Sequence, residues 1–173
     1  GIPEYRLPRK VLDSEVEGVK RAGFEIKTNA RIESIKSLFE DGYHAVFFAI
    51  GAHRSSKIGL QGEDSTGVLD SITFLREASL GRKVGLGDKV AVIGSGDTAM
   101  DAARTALRLG AKYVTVIYYL SQAEKNDDQE GIRDALEEEV KIDYLAAPTN
   151  ICNENGRVKL ECIRMELGEP DSK

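Results

Sequence analysis

The sequence predicts an α/β protein built on a parallel sheet, and three observations carry that prediction. Val90, Ala91, Val92 and Ile93 form a short unbroken apolar run of the kind a buried parallel strand needs. Gly94, Ser95 and Gly96 follow it and open onto an alanine-rich helical pattern running to Arg108. A second apolar run, from Tyr113 to Tyr118, then completes a strand, helix and strand unit of about 30 residues.

The spacing from Gly94 to Ala99 is G-x-G-x-x-A. In such a turn the first glycine permits the bend, the second lets a phosphate approach the backbone, and the small third residue lets helix and strand touch. Amide groups gathered at the positive end of a helix dipole suit a pyrophosphate. Gly94, Ser95, Gly96, Asp97, Thr98 and Ala99 are therefore the candidate dinucleotide-binding residues of a Rossmann-like unit. A tight strand-to-helix turn with no ligand is the alternative, and the completed unit argues against it.

With 173 residues, of which 41% are hydrophobic and 31% charged, the chain can bury a substantial core in one large domain or a small domain plus part of another. A net charge of −5 and the lack of any basic cluster argue against nucleic acid as a partner. The longest apolar run, Ala45 to Ile50, is too short to span a bilayer, and no signal-peptide pattern opens the chain, so a cytoplasmic location is expected. Cys152 and Cys162 have no C-x-x-C spacing and no histidine nearby, which makes a metal site unexpected. They either face one another across a hairpin or serve as small apolar strand residues, and the second reading is preferred. The chain opens on Gly1 rather than methionine, which suggests an excised or processed fragment.

Taken in order, the stretch from Gly1 to Pro8 holds two prolines and no period and reads as extended or loop. From Lys10 to Ala22, Val11, Leu12, Val16 and Val19 share one helical face, and Gly23 supplies the stop. Phe24 to Thr28 alternates as a strand does, and Ile32, Ile35, Leu38 and Phe39 suggest a short amphipathic helix or turn. After a break at Asp41 and Gly42, His44 to Ile50 predicts a strongly buried strand. The polar stretch from His53 to Lys57, with Gly59, Gly62 and Gly67 beyond it, reads as a connection between two domains.

Leu69 to Ser79 predicts a helix carrying Ile72, Leu75 and Ala78. In the central helix Ala99, Ala102, Ala103 and Ala106 offer a smooth surface to a sheet, and Gly110 ends it. Ser121 to Asp128 is polar and reads as a loop. Glu130 to Glu139 predicts a helix with Ile132, Ala135 and Leu136 inward and its acidic residues solvated. Val140, Ile142 and Tyr144 alternate as a third strand. Thr149 to Asn153 and Val158 to Leu167 flank a hairpin turn at Asn153 to Gly156, and the change of apolar parity in the second arm predicts a bulge near Cys162. Gly168 to Lys173 is a polar tail.

With these pieces placed, the whole chain resembles the NADPH-dependent glutamate synthase small subunit and its relatives, including the flavin portion of dihydropyrimidine dehydrogenase. The segments that carry the resemblance are GIPEYRLP, AVFFAIGAH, the GED of Gly62 to Asp64, GSGDTAMDAARTA, and RDALEE followed by VKIDYLAAP, all in the family's order. The resemblance implies a flavoprotein oxidoreductase that binds two dinucleotides, with a nicotinamide domain inserted in an FAD domain. Residues 1–67 would then be a partial FAD-domain segment. Residues 68–173 would be a Rossmann-like, three-layer domain with a parallel sheet and a β-hairpin or meander that binds NADPH or NADH.

By the same resemblance an FAD fingerprint should precede Gly1 and an FAD-contacting segment should follow Lys173. Neither is present, and neither are the N-terminal cysteines that hold iron-sulfur clusters in the relatives. One dinucleotide at most is therefore expected here, with FAD belonging to the intact parent, and the isolated chain is not expected to turn over. Ile50, Gly51 and Ala52 match the family's strand and turn, which implies a place beside the flavin and nicotinamide, where small residues permit close approach. Hydride transfer between the two cofactors needs no acid or base from the protein, so no catalytic side chain is assigned. In the relatives electrons pass on to iron-sulfur centres and a large accepting subunit.

Tyr118, Tyr119 and Leu120 close the second strand and are the candidate ribose-side residues. The family has arginines just here, suited to the 2′-phosphate of NADP; this chain has Tyr119, Leu120 and Gln122 in their place. A phosphate deprived of two or three charge-assisted bonds of about 1.5–3 kcal/mol each binds far more weakly. Lys125 is a flexible point donor and a poor substitute. Asp97 reads as a helix cap or turn residue, Arg104 and Arg108 as solvated or salt-bridged, and His44 and His53 as structural or exposed. The competing functional reading is a non-catalytic interaction module whose nucleotide site has decayed. The lost arginines and the polar SQAEKNDDQ favour it, and the intact GSGDTA turn opposes it.

Overall fold

The structure is a computed structural model that describes residues 1–122 and 129–168. Lys125 and the greater part of the polar loop and tail lie outside the described residues. The chain divides into two compact units, one of Glu4–His53 and the other of Gly1–Pro3 with Arg54–Lys173.

The smaller unit holds α1 (Arg9–Arg21) and α2 (Ile35–Glu40). Gly23 follows α1 at φ +91° and ends it as the sequence predicts. Ser34 caps α2, its Oγ accepting from the Lys36 amide at 3.1 Å. Two expectations fail here. Residues 24–28 and 44–50 lie in no strand, and in the second stretch Phe47, Phe48 and Ile50 are 92%, 58% and 76% exposed rather than buried. Alternation and apolar runs license a strand only where another segment supplies the hydrogen-bonding ladder. Among the described residues of this unit none does.

The larger unit contains α3 (Ser71–Ser79), β1 (Lys89–Ile93), α4 (Asp97–Arg108), β2 (Tyr113–Tyr118), α5 (Gln129–Glu137), β3 (Lys141–Tyr144), β4 (Ala146–Glu154) and β5 (Arg157–Arg164). β1, β2 and β3 form a parallel sheet in that order, joined by α4 and α5, so two successive crossover units are present. The register pairs Val92 with Val116, Val116 with Ile142 and Tyr118 with Tyr144. The period of two along each strand puts those side chains on the face that receives the helices. There Val114, Val116 and Tyr118 pack with Ala99, Met100, Ala102, Ala103 and Ala106 of α4 and with Ile132 and Ala135 of α5. The alanines do what their size predicts: Ala103 and Ala106 are almost wholly buried, so α4 lies close on β1 and β2. α3 packs beside α4 through Phe74 and Leu75.

Asp70 is the N-cap of α3, its carboxylate accepting from the Thr73 amide at 2.9 Å and from the Ser55 hydroxyl at 2.7 Å. Burial pushes that carboxyl upward, but the hydrogen bonds from Thr73 and Ser55 outweigh it and hold it below the ordinary range. Among the described residues no helix is long and apolar enough to cross a membrane.

The acidic residues of α5 are not all solvated as expected. Arg104, buried on α4, donates to Glu138 at 2.7 and 2.9 Å and to Asp134 at 3.1 Å, and Arg108 also pairs with Glu138. The guanidinium of Arg104 could leave water only because two carboxylates follow it. Hydrogen bonding from Arg108, opposed by burial and reinforced by Arg104, holds the Glu138 carboxyl below the ordinary glutamate range. A depressed pKa means stabilisation that is complete above the unfolded-state value of about 4.3 and is lost as the pH falls through the folded-state value. Glu138→Gln is expected to lose roughly 1–3 kcal/mol at pH 7 and to show a shallower fall in stability below about pH 4.3 than the parent chain. Urea unfolding at a series of pH values measures both.

β4 and β5 form the predicted hairpin, the first arm longer than expected and the second ending earlier, at Arg164. Glu154 pairs with Arg157 across Asn155 and Gly156, whose φ values of +54° and +77° mark the turn that an Asn-Gly pair favours. The bulge lies on the other arm from that predicted: Pro148 pairs with Cys162 and Asn150 with Glu161, leaving Thr149 as the extra residue. The extra residue shifts parity in the strand that carries it, so that Ala146 and Ile151, five residues apart, are both buried, whereas Val158 and Ile163 of β5 are both exposed and their change of parity reports no burial. Cys152 pairs with Lys159 rather than Cys162, and both thiols are free.

The stretch read as a linker packs onto this hairpin. Gln61 bridges to Asn150, the Ile151 amide donates to the Gln61 carbonyl at 2.9 Å, and Gly62 lies directly against Ile151. Glu63 closes the turn by accepting from the amides of Gly59 and Leu60.

Candidate functional site

The turn from Gly94 to Ala99 stands at the carboxyl end of β1, where a parallel sheet offers its ligand crevice. Gly94 has φ +148°, a region that disfavours side chains, and a Cβ there would stand 3.0 Å from the Cβ of Ala99. The first glycine and the small sixth residue are thus two sides of one close contact between turn and helix. The Gly94 amide donates to the Ile117 carbonyl at 3.3 Å, which ties the turn to the end of β2.

Gly96 is the N-cap of α4, with ordinary extended geometry at φ −104° and ψ 179°, and a Cβ added to it would meet nothing. Glycine is therefore not demanded there by backbone strain or by any neighbour among the described residues. It leaves open the space beside the helix end, where a diphosphate would come to rest. Among the described residues no side chain of the N-cap position closes α4, and Gly96, Asp97 and Thr98 are exposed. Of the two roles expected of Asp97, cap or turn residue, the N-cap position goes to Gly96, and Asp97 occupies the first helical turn, where its charge favours the helix dipole. The residues present fit a diphosphate, since the helix end is open, uncapped by side chains and fixed to the sheet.

The end of β2 separates the three ribose-side candidates. Tyr118 is 2% exposed, with its ring edge-on to Tyr144 at 5.4 Å, so its side chain belongs to the core. Tyr119 is 51% exposed and Leu120 is half-buried. Burial also pushes the Tyr144 phenol above its ordinary range. Leu145, which the sequence analysis did not single out, anchors this corner. Its amide donates to the Leu120 carbonyl at 3.2 Å, and its carbonyl accepts from the Met165 amide at 2.7 Å. It does so at φ +52°, which a leucine adopts only under tertiary constraint, and no local pattern announces that.

Ile50, Gly51 and Ala52 are exposed and belong to the smaller unit, with Gly51 at φ +69°. His44 and His53 are exposed. Arg104 and Arg108 serve the helix pair described above, the salt-bridged alternative of the expectation. Among the described residues no group of three or more His, Cys, Asp or Glu side chains is arranged to hold a metal.

A family model for the pyridine nucleotide-disulphide oxidoreductases matches residues 7–168. The chain belongs to this family. It is 44% identical over 177 residues to the NADP(+)-dependent formate dehydrogenase subunit beta of Moorella thermoacetica, covering 99% of this chain and 25% of that protein. It is 43% identical over 179 residues to the NADPH-Fe(3+) oxidoreductase subunit beta of Geobacter sulfurreducens, again 99% of this chain and 27% of that protein. To the glutamate synthase [NADPH] small chain of Escherichia coli it is 34% identical over 190 residues, covering 100% of this chain and 40% of that protein. The chain thus spans about a quarter to two fifths of the length of these relatives. The family shown is broader than the glutamate synthase small subunit that the motifs resemble. Its members share the α/β nucleotide-binding architecture seen here.

Proposed function

We propose that this pyridine nucleotide-disulphide oxidoreductase chain is the NAD(P)H-binding portion of a flavin-dependent oxidoreductase resembling the glutamate synthase small subunit. The observation that carries the reading is the open turn: Gly94 to Ala99 meets the end of a parallel strand and, among the described residues, has no side-chain cap and keeps a glycine at position 96 that no neighbour requires. In this reading the amides of Ser95 to Thr98 receive the diphosphate, Ala99 sets the depth of the turn, and the exposed Tyr119 with the Leu120 backbone borders the adenosine ribose. Tyr118 contributes through its main chain, since its ring is buried.

When bound, the nicotinamide supplies a hydride for FAD, and the protein's part is to hold the two at transfer distance. Ile50, Gly51 and Ala52 are assigned to the flavin side, in residues 1–67, of which the stretch from Arg54 onward packs with the nucleotide-binding unit. Two relatives are named as beta subunits, which supports a parent enzyme that passes electrons to a separate accepting subunit. We assign FAD to the intact parent enzyme, an inference supported by the family to which the chain belongs.

Titration of isotopically labelled chain with NADH, followed by amide chemical shifts, tests the site. The largest shifts are expected at Gly94 to Ala99 and at Tyr119 and Leu120. Shifts centred elsewhere, or none at millimolar NADH or NADPH, would overturn the assignment and favour the non-catalytic module with a decayed nucleotide site.

A further inference from the structure

We infer that the site assigned above prefers NADH to NADPH, and that the uncharged segment from Tyr119 to Gln122 sets the preference. The inference rests on the dinucleotide reading of the turn. A dinucleotide whose diphosphate lies on Gly94 to Ala99 brings its adenosine ribose to the end of the next strand, where an acidic residue meets a 2′-hydroxyl or an arginine meets a 2′-phosphate. The hydrogen bond from the Gly94 amide to the Ile117 carbonyl places that end beside the turn in this chain.

What stands there is Tyr119, Leu120, Ser121 and Gln122, four residues without a charge. Tyr119 and Gln122 are exposed, Leu120 is half-buried and Ser121 is buried. The segment is held at its root, because Tyr118 is locked against Tyr144 and the Leu120 carbonyl is bound by the Leu145 amide. A ribose hydroxyl is served by neutral partners such as the Gln122 amide and the Tyr119 phenol. A 2′-phosphate brings nearly two negative charges to the same place. It finds no guanidinium in the segment. The helix dipole offers little relief, since its field fades within a turn.

Calorimetric titration of the 173-residue chain with NADH and with NADPH tests this directly. NADH is expected to bind at least tenfold more tightly. Equal or tighter binding of NADPH would overturn the inference and leave the site assignment standing, whereas binding of neither would overturn the assignment and the inference with it. Tyr119→Arg combined with Gln122→Arg, both at exposed positions, is expected to tighten NADPH at least tenfold and to weaken NADH, whose ribose partners it removes. An unchanged NADPH affinity in a variant that melts like the parent would show that this segment does not set the preference.

Discussion

Gly96→Asp is expected to lower nicotinamide dinucleotide affinity by at least a hundredfold while leaving the chain folded. The two effects separate because of where Gly96 stands. Its backbone is in an extended region open to any residue, a Cβ there meets nothing within 4 Å among the described residues, and it is the N-cap of α4. Aspartate is a favoured N-cap, worth a few tenths of a kcal/mol over glycine, so melting temperature should hold or rise slightly. For a bound diphosphate the same carboxylate is fatal. It fills the approach left open by the missing side chain, accepts the amide hydrogen bonds that the phosphates would use, and sets like charge against like. Losing two charge-assisted bonds of about 1.5–3 kcal/mol each already exceeds a hundredfold. Calorimetry for affinity and differential scanning for stability read the two halves. Retained affinity would mean that the diphosphate lies elsewhere, and a collapsed melting temperature would mean that Gly96 serves the fold.

Gly62→Ala is expected to be the most damaging single methyl group in the larger unit, with a loss of about 3 kcal/mol or more. Gly62 has φ +83°, which alone costs an alanine roughly 1–2 kcal/mol. The added Cβ would also lie 1.8 Å from the Ile151 carbonyl oxygen, so backbone must move against backbone, where overpacking typically adds 1–3 kcal/mol. The strand that would have to yield is β4, already joined to Gln61 by the Ile151 amide. For a chain of this size the melting temperature should fall by roughly 6–12 °C. Gly59→Ala is the internal control. At φ +78° it carries the same backbone penalty, but nothing lies within 4 Å of its Cβ, so about 1–2 kcal/mol is expected. Equal losses in the two variants would show that the contact with Ile151 contributes nothing.

The parallel sheet and its helices were legible because their signals are local. A run of four apolar residues, a glycine spacing and a row of alanines each act within one turn of chain, and β1, α4 and β2 appear where those signals put them. The Asn-Gly turn and the stop at Gly23 belong to the same class, since each expresses the backbone preference of the residues themselves. The candidate turn could be read as a ligand cradle because glycine at position 96 needs a reason, and sequence can pose that question even though it cannot exclude a neighbour. Coordinates show none among the described residues.

Other features depend on partners far away in the chain. Alternation in residues 24–28 and apolarity in residues 44–50 announce a willingness to be strands, but a ladder needs a second segment, and neither stretch has one among the described residues. Whether Glu138 is solvated or buried against Arg104 depends on how α4 and α5 meet. Gly62 looks like linker in sequence and is a wedge point in the fold, because Ile151 lies beside it. Local chemistry along the chain decided which segments curl, turn and offer open amides. Tertiary structure alone decided which side chains face the prospective ligand, which carboxylates leave water, and which extended segments are paired, since each of those is a property of two pieces of chain and not of one.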